Sequence, residues 1–285
     1  MYYRIPDLEI ERFLEEDVPY GDLTTTLLGI GGEVGELTFT SRERTVVCCT
    51  EEAGTVLGKC GATVTYSLPS GTVIEPGTLL LRAEGNAAAL HAGWKVALNL
   101  LEYASGIATR TGTIVDRVHA VNPEVAVVST RKSFPGTRKI SMKAIMAGGA
   151  LPHRLGLSES ILVFSNHTVF LGGLEPFLER IADMKRRAPE HRIIVEADTS
   201  EEALRIAKAG ADVVQVDKMP VQELASLVAG IRRCCPGVAV SAAGGINAEN
   251  AAAYAATGID IIVLSSVYFG KPSDISAVIN QKPKS

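Results

Sequence analysis

Ser129-Thr130-Arg131-Lys132-Ser133-Phe134-Pro135-Gly136 is the densest cluster of cationic chemistry in this chain, and it directly follows the apolar run Val125-Ala126-Val127-Val128. A β-branched strand that ends in two adjacent cations, hydroxyls and a Pro-Gly turn delivers positive charge to one rim of a sheet. An anionic substrate would sit there. His153-Arg154, just after the glycine pair Gly148-Gly149, extends Arg131 and Lys132 into a four-member cationic cluster suited to carboxylate or phosphate. Glu196 and Asp217 close two later strand-like runs. Paired carboxylates at one mouth hold sugar hydroxyls, bind Mg2+ through water or stabilise a developing oxocarbenium ion; the plainer alternative is a pair of solvated strand caps. Ala242-Ala243-Gly244-Gly245 follows a strand and leads toward an alanine-rich helix, an arrangement that suits a phosphate or serves as a ligand-free tight turn. Ser241 ends the strand before that turn, and Ser265-Ser266 ends the next one and extends the same cup. Lys95 lies among apolar helical neighbours and by itself is a surface lysine whose stem lies along the helix.

These groups need a scaffold that gathers strand ends. From residue 125 onward, apolar runs at 125–129, 160–165, 192–198, 212–217, 237–241 and 260–266 alternate with helical segments, and each run ends in a polar group. Runs apolar on both faces predict a parallel sheet covered by helices. Six polar ends converging favour an α/β barrel, whose C-terminal strand ends form the active face, over an open doubly wound sheet. The first part of the chain differs. Residues 8–16 predict a helix, an acidic turn spans Asp17 to Asp22, and strands at 35–40 and 45–49 are punctuated by Pro69-Ser70-Gly71 and Glu75-Pro76-Gly77. Residues 87–121 are helical, with Leu90, Trp94, Ala97, Leu98 and Leu101 at spacings of three and four and an expected break at Ser105-Gly106.

The bulk composition narrows the function classes. With 285 residues, 46% hydrophobic, 21% charged and a net charge of -4 without long single-sign runs, the chain has no footprint for nucleic acid or an anionic membrane surface. Anion binding must come from a local cationic pocket. The five cysteines, including the adjacent pairs Cys48-Cys49 and Cys234-Cys235, contain no C-x-x-C, which predicts reduced thiols and a cytoplasmic setting. Met1 to Pro6 lack the apolar stretch of a signal peptide, and no run reaches the roughly 20 apolar residues of a membrane span. H-x-H, H-E-x-x-H and cysteine-histidine spacings are missing, so no metal held by the protein alone is expected, and neither is a P-loop or G-x-S-x-G nucleophile.

The motifs Ala97-Leu98-Asn99-Leu100, Ser105-Gly106-Ile107-Ala108-Thr109, Thr130-Arg131-Lys132, Pro135-Gly136, Gly148-Gly149 and His153-Arg154-Leu155-Gly156-Leu157 resemble the quinolinate phosphoribosyltransferase (nicotinate-nucleotide pyrophosphorylase) family. Asp17, Gly21-Asp22-Leu23-Thr24, Glu196, Asp217 and Gly244-Gly245 extend the likeness over nearly the whole chain. Glu16 to Thr25, Trp94-Lys95-Val96-Ala97, Glu102 to Thr111 and Leu157-Ser158-Glu159 resemble most closely its ModD branch, associated with molybdenum transport.

The resemblance implies an N-terminal α/β sandwich over residues 1–106, with 270–285 as a candidate completion, and an incomplete TIM-like α/β barrel over 107–269. It implies a homodimer, or a higher assembly of dimers, with active sites between subunits. The reaction implied is transfer of phosphoribose from phosphoribosyl pyrophosphate, with Mg2+, to the nitrogen of an acidic aromatic acceptor. Lys132, Glu196 and Asp217 match residues that hold the donor, Ala243, Gly244 and Ser265 those that cradle its 5′-phosphate, with Ser241, Gly245 and Ser266 expected to bind phosphate beside them, and Arg131, His153 and Arg154 those that bind acceptor carboxylates. Lys95 stands where the family places an arginine supplied by the neighbouring subunit. Phe164 and Ser165 replace a lysine and an acid, Met142 replaces a lysine although Lys143 is adjacent, and Pro152 replaces an asparagine. These departures fall more on the acceptor side than on the donor side, which predicts an acceptor other than quinolinate. The competing expectations are an ordinary carboxylating quinolinate enzyme of NAD biosynthesis and a non-catalytic anion-binding protein.

Overall fold

Alternation is the local rule that builds the first part of the chain. In the strand Val34–Ser41 every second residue is buried, and Leu37 and Phe39 are wholly so; successive side chains of a strand face opposite ways, so one face goes to the core. In the computed structural model, which describes residues 4–283, this strand lies inside a four-stranded antiparallel sheet ordered Ile275–Gln281, Val34–Ser41, Leu79–Asn86, Thr63–Ser67. Residues 1–3 and 284–285, the ends of the two spans expected for the N-terminal domain, lie outside the described residues. The sheet packs with the helix Thr50–Lys59, through Ala53, Val56 and Leu57, and with Leu90, Ala97, Leu101 and Ala104 of the helix Ala87–His119. A two-stranded ribbon, Thr45–Val46 with Val73–Ile74, completes the strands.

The expected break at Ser105-Gly106 is absent, because Ala87–His119 is one helix. Ser105 and Gly106 serve packing instead. Ser105 Oγ accepts the Cys48 amide at 2.9 Å, and a Cβ on Gly106 would lie 2.9 Å from the Lys271 carbonyl. The five cysteines are all unbonded. No helix among the described residues is long and apolar enough to cross a membrane.

The chain divides into two compact units, the first comprising Met1–Gly112, Phe134–Gly149 and Tyr268–Ser285 and the second Thr113–Ser133 and Ala150–Val267. The second unit holds seven parallel strands ordered Leu151–Pro152, Ala126–Ser129, Ile261–Leu264, Ala239–Ala243, Val213–Asp217, Ile193–Ala197, Ile161–Val163. The two edge strands do not pair with one another, so the barrel is incomplete. One strand more than expected is present, Leu151–Pro152, which delivers His153.

The strand expected to stop at Ser241 runs on through Ala242 and Ala243 and ends where Gly244 adopts φ +86°. Small alanines continue the strand, and the first left-handed glycine stops it. At the other end of the sheet the strand is shorter than expected, Ile161–Val163, and residues from Ser165 onward are helical.

Candidate active site at the strand ends

On one sheet face Leu162, Ile194 and Val213 pack together with Phe164, Ala239 and Ile261. Residues two apart share a face, so Glu196 follows Ile194, Gln215 and Asp217 follow Val213, Ser241 and Ala243 follow Ala239, and Ser265 follows Val263. The apolar floor thus carries a polar layer, and above it a rim. All strands are parallel, so every rim group lies at the same C-terminal edge.

The rim is stitched strand to strand. Thr130 and Ser265 hydroxyls are 2.8 Å apart, Ser129 Oγ donates to the Leu264 carbonyl at 3.0 Å, and the His153 amide donates to the Ser129 carbonyl at 2.9 Å. These bonds fix the segments bearing Arg131, Lys132, His153 and Arg154 on neighbouring strand ends. Lys132 is exposed, and Arg131, His153 and Arg154 are half-buried. Burial, then the Arg154 guanidinium, push the His153 imidazole below its ordinary value, so it is neutral at neutral pH. Burial, and then Arg131, also pull Arg154 below the usual arginine value. Like charges gathered without matching acids mark a place prepared for an anion.

Glu196 accepts a 2.8 Å hydrogen bond from Gln215 Nε2. Burial raises its carboxyl above the ordinary 4.5; Gln215 opposes that, Asp217 and Asp198 add to it, and Lys132 opposes it. Gln215, which the sequence reading passed over, is the single polar side chain among the four buried residues 213–216 of the strand Val213–Asp217, and that isolation was the signal that could have found it. The parallel register sets Gln215 against both Glu196 and Ser241. Gln215 Oε1 and Ser241 Oγ are buried without a hydrogen-bond partner. Ser241 lies in the layer beneath the rim, since its strand extends two residues beyond it.

The glycine turn has φ +86° at Gly244 and +72° at Gly245. A Cβ on Gly244 would strike the Asp217 carboxylate and lie 2.9 Å from the Lys218 amide nitrogen. Ser266 Oγ donates to the Ile246 carbonyl at 2.8 Å and so braces this turn, while Asn250 Nδ2 donates to the Gly245 carbonyl at 3.1 Å. The expected alanine-rich helix is only Ala251–Ala255, beginning six residues past Gly245, so its dipole adds little at the turn.

Phe164 is half-buried against the apolar floor and stacks on His167 at 5.8 Å. The Phe164 amide donates to His167 Nδ1 at 3.0 Å. Lys95 belongs to the first unit, where it is exposed with its ammonium 5.4 Å from the Trp94 ring centroid. Lys143, adjacent to Met142, is in that unit too and is committed to Glu52 at 2.5 Å and Glu51 at 2.9 Å. It is thus a structural cation. Among the described residues no group of three or more His, Cys, Asp and Glu could hold a metal ion.

Residues 22–105 match the quinolinate phosphoribosyl transferase N-terminal domain and residues 107–277 its C-terminal domain. A ModD pyrophosphorylase of Rhodobacter capsulatus is 46% identical over 250 residues, covering 88% of this chain and 96% of that protein. Another from Pasteurella multocida is 35% identical over 276 residues, 97% of this chain and 98% of its own. The structure of the nicotinate-nucleotide pyrophosphorylase from Francisella tularensis has the same fold, with a TM-score of 0.88, 24% identity and 98% of each chain covered.

Proposed function

The chain belongs to the quinolinate phosphoribosyl transferase family, and from that premise we propose a ModD-like phosphoribosyltransferase acting on phosphoribosyl pyrophosphate and an acidic aromatic acceptor. The observation that carries this reading is the presence of Lys132, Glu196, Asp217 and the Gly244-Gly245 turn on one C-terminal sheet edge. A mere anion pocket needs cations but no paired carboxylates.

In this reading the acceptor nitrogen attacks C1 of the ribose, and the C1–O bond to pyrophosphate breaks as the N–C1 bond forms. Glu196 and Asp217 hold the ribose hydroxyls and offer negative charge to the oxocarbenium-like centre. Lys132 faces the pyrophosphate, Gly244, Gly245 and Ser265 receive the 5′-phosphate, and Arg131, His153 and Arg154 bind the acceptor's acid group. Glu196 and Asp217 would hold Mg2+ through water together with the bound donor. Such an ion would neutralise the leaving group's charge.

Phe164 at the rim supports an acceptor carrying fewer charges than quinolinate, since an apolar ring there makes no charge-assisted hydrogen bond. The reading includes a cytoplasmic homodimer in which Lys95 serves the partner's acceptor site. The test is calorimetric titration with phosphoribosyl pyrophosphate and Mg2+ on the unaltered protein, Lys132→Ala and Glu196→Ala, followed by a pyrophosphate-release screen of pyridine carboxylic acids. Binding is expected and both substitutions abolish it. Silence with and without quinolinate transfers the weight to an anion-binding protein, and efficient turnover of quinolinate refutes the acceptor assignment.

A further inference from the structure

We infer that Lys218 is a substrate-binding residue of this site, its ammonium gripping the phosphate monoester that the Gly244-Gly245 turn receives. The inference rests on the phosphoribosyl reading above and adds to it a residue which that reading does not use.

Lys218 is one of two residues other than glycine with a left-handed backbone among the described residues, at φ +54°. A side chain with a Cβ adopts that conformation at a cost that glycine does not incur and asparagine tolerates. The surroundings hold it there. Its amide donates to the Ala243 carbonyl at 2.7 Å, and the next residue, Met219, is buried with its carbonyl accepting the Tyr254 hydroxyl at 3.0 Å. This bend lays the lysine stem against the turn: a Cβ on Gly244 would come within 2.6 Å of Lys218 Cγ. Gly244 is therefore required by the stem of Lys218 as well as by its own φ.

The head group has no structural task that matches this strain. Its ion-pair partner is Asp217 at 3.9 Å, and the side chain is 78% exposed. A loose pair at that exposure contributes almost nothing to stability. A strained position kept for a residue without a structural return marks function. An ammonium rooted on the glycine turn, beside the Asp217 carboxylate, counters the repulsion that this acid exerts on an incoming phosphate. Three donors on a flexible stem make lysine a point-charge partner for a phosphate monoester.

The experiment measures binding of ribose 5-phosphate and, separately, of inorganic pyrophosphate with Mg2+ to the full chain, to Lys218→Asn and to Lys218→Arg. For Lys218→Asn the ribose 5-phosphate dissociation constant is expected to rise about tenfold, with pyrophosphate changed by less than about twofold. Lys218→Arg recovers most of the loss, and the thermal midpoint of Lys218→Asn is unchanged or higher because asparagine relaxes the backbone. Ribose 5-phosphate binding to Lys218→Asn at unaltered affinity, equal weakening of both probes, or a lowered midpoint each overturns the inference alone. An unaltered protein that binds neither probe overturns the phosphoribosyl reading, and the inference with it.

Discussion

Lys143 and Lys132 are both lysines that act on carboxylates, and they illustrate opposite uses of charge. The Lys143 side chain is 11% exposed and its ammonium meets Glu52 at 2.5 Å and Glu51 at 2.9 Å, while Glu51 also accepts the Ser70 amide at 2.9 Å and hydroxyl at 2.5 Å. Every charge in that cluster is answered. Lys132 is exposed and acts on Glu196 only through space, beside Arg131 and Arg154 whose charges repel one another. A closed network holds the first unit together, whereas an unbalanced one on the parallel sheet is available to a ligand.

The contrast is broken most forcefully at the closed cluster. Lys143→Met leaves Glu52, 6% exposed, as an unpaired buried acid, and the expected loss is about 3–5 kcal/mol by urea denaturation. Lys132→Ala is expected to change stability by less than about 0.5 kcal/mol in the same assay. If the two costs come out alike, the distinction fails.

Gly244→Ala sharpens the rim side. The new methyl meets Asp217 and Lys218 at a positive φ, so a stability loss of about 1–2 kcal/mol is expected. Steady-state kinetics should then show a weakened KM for the phosphoribosyl donor beyond what the thermal loss explains. An unchanged KM would separate the turn from the phosphate.

The smallest effect is in pH. Hydrogen bonds from Ser70 and Lys143 outweigh burial and bring Glu51 to about 2, so its contribution to stability is present above 4.5 and lost as pH falls toward about 2. Glu196 has the opposite sign. Burial raises it above 4.5, so the native state holds the proton more tightly, and its contribution declines as pH rises from 4.5 through the raised value. Because the ionised form serves the reaction, activity should fall at acid pH through that same raised value. Gln215→Leu removes the amide that steadies the carboxylate, and the acid limb of the pH profile is expected to move upward by about one pH unit or less. A limb that stays in place while Tm drops would make Gln215 merely structural.

Most of the parallel sheet was legible because its strands are apolar on both faces and then abruptly polar. Arg131, Lys132, Glu196 and Asp217 all announce themselves that way. Leu151–Pro152 did not, since two residues, one without an amide hydrogen, carry no period. The end of the strand Ala239–Ala243 was placed two residues early for a related reason: Ala242-Ala243 looks like the start of the turn but still pairs with Val216 and Asp217. Gln215 and Lys218 were missed because their roles lie in register and backbone handedness, which no spacing of residue types expresses.

The strand Ile275–Gln281 pairs with Val34–Ser41 in the register Gly35↔Gln281. Translation therefore delivers one edge of the first unit's sheet only after the ribosome has passed through the entire parallel sheet. During synthesis Val34–Ser41 waits with one edge open, a place where nascent chains can join to one another. The parallel sheet, contiguous from Ala150 to Val267 apart from its strand Ala126–Ser129, can assemble while that edge still waits. Termination before Ile275 would strand the first unit without its closing strand, and aggregation in the cell would report it before any loss of catalysis.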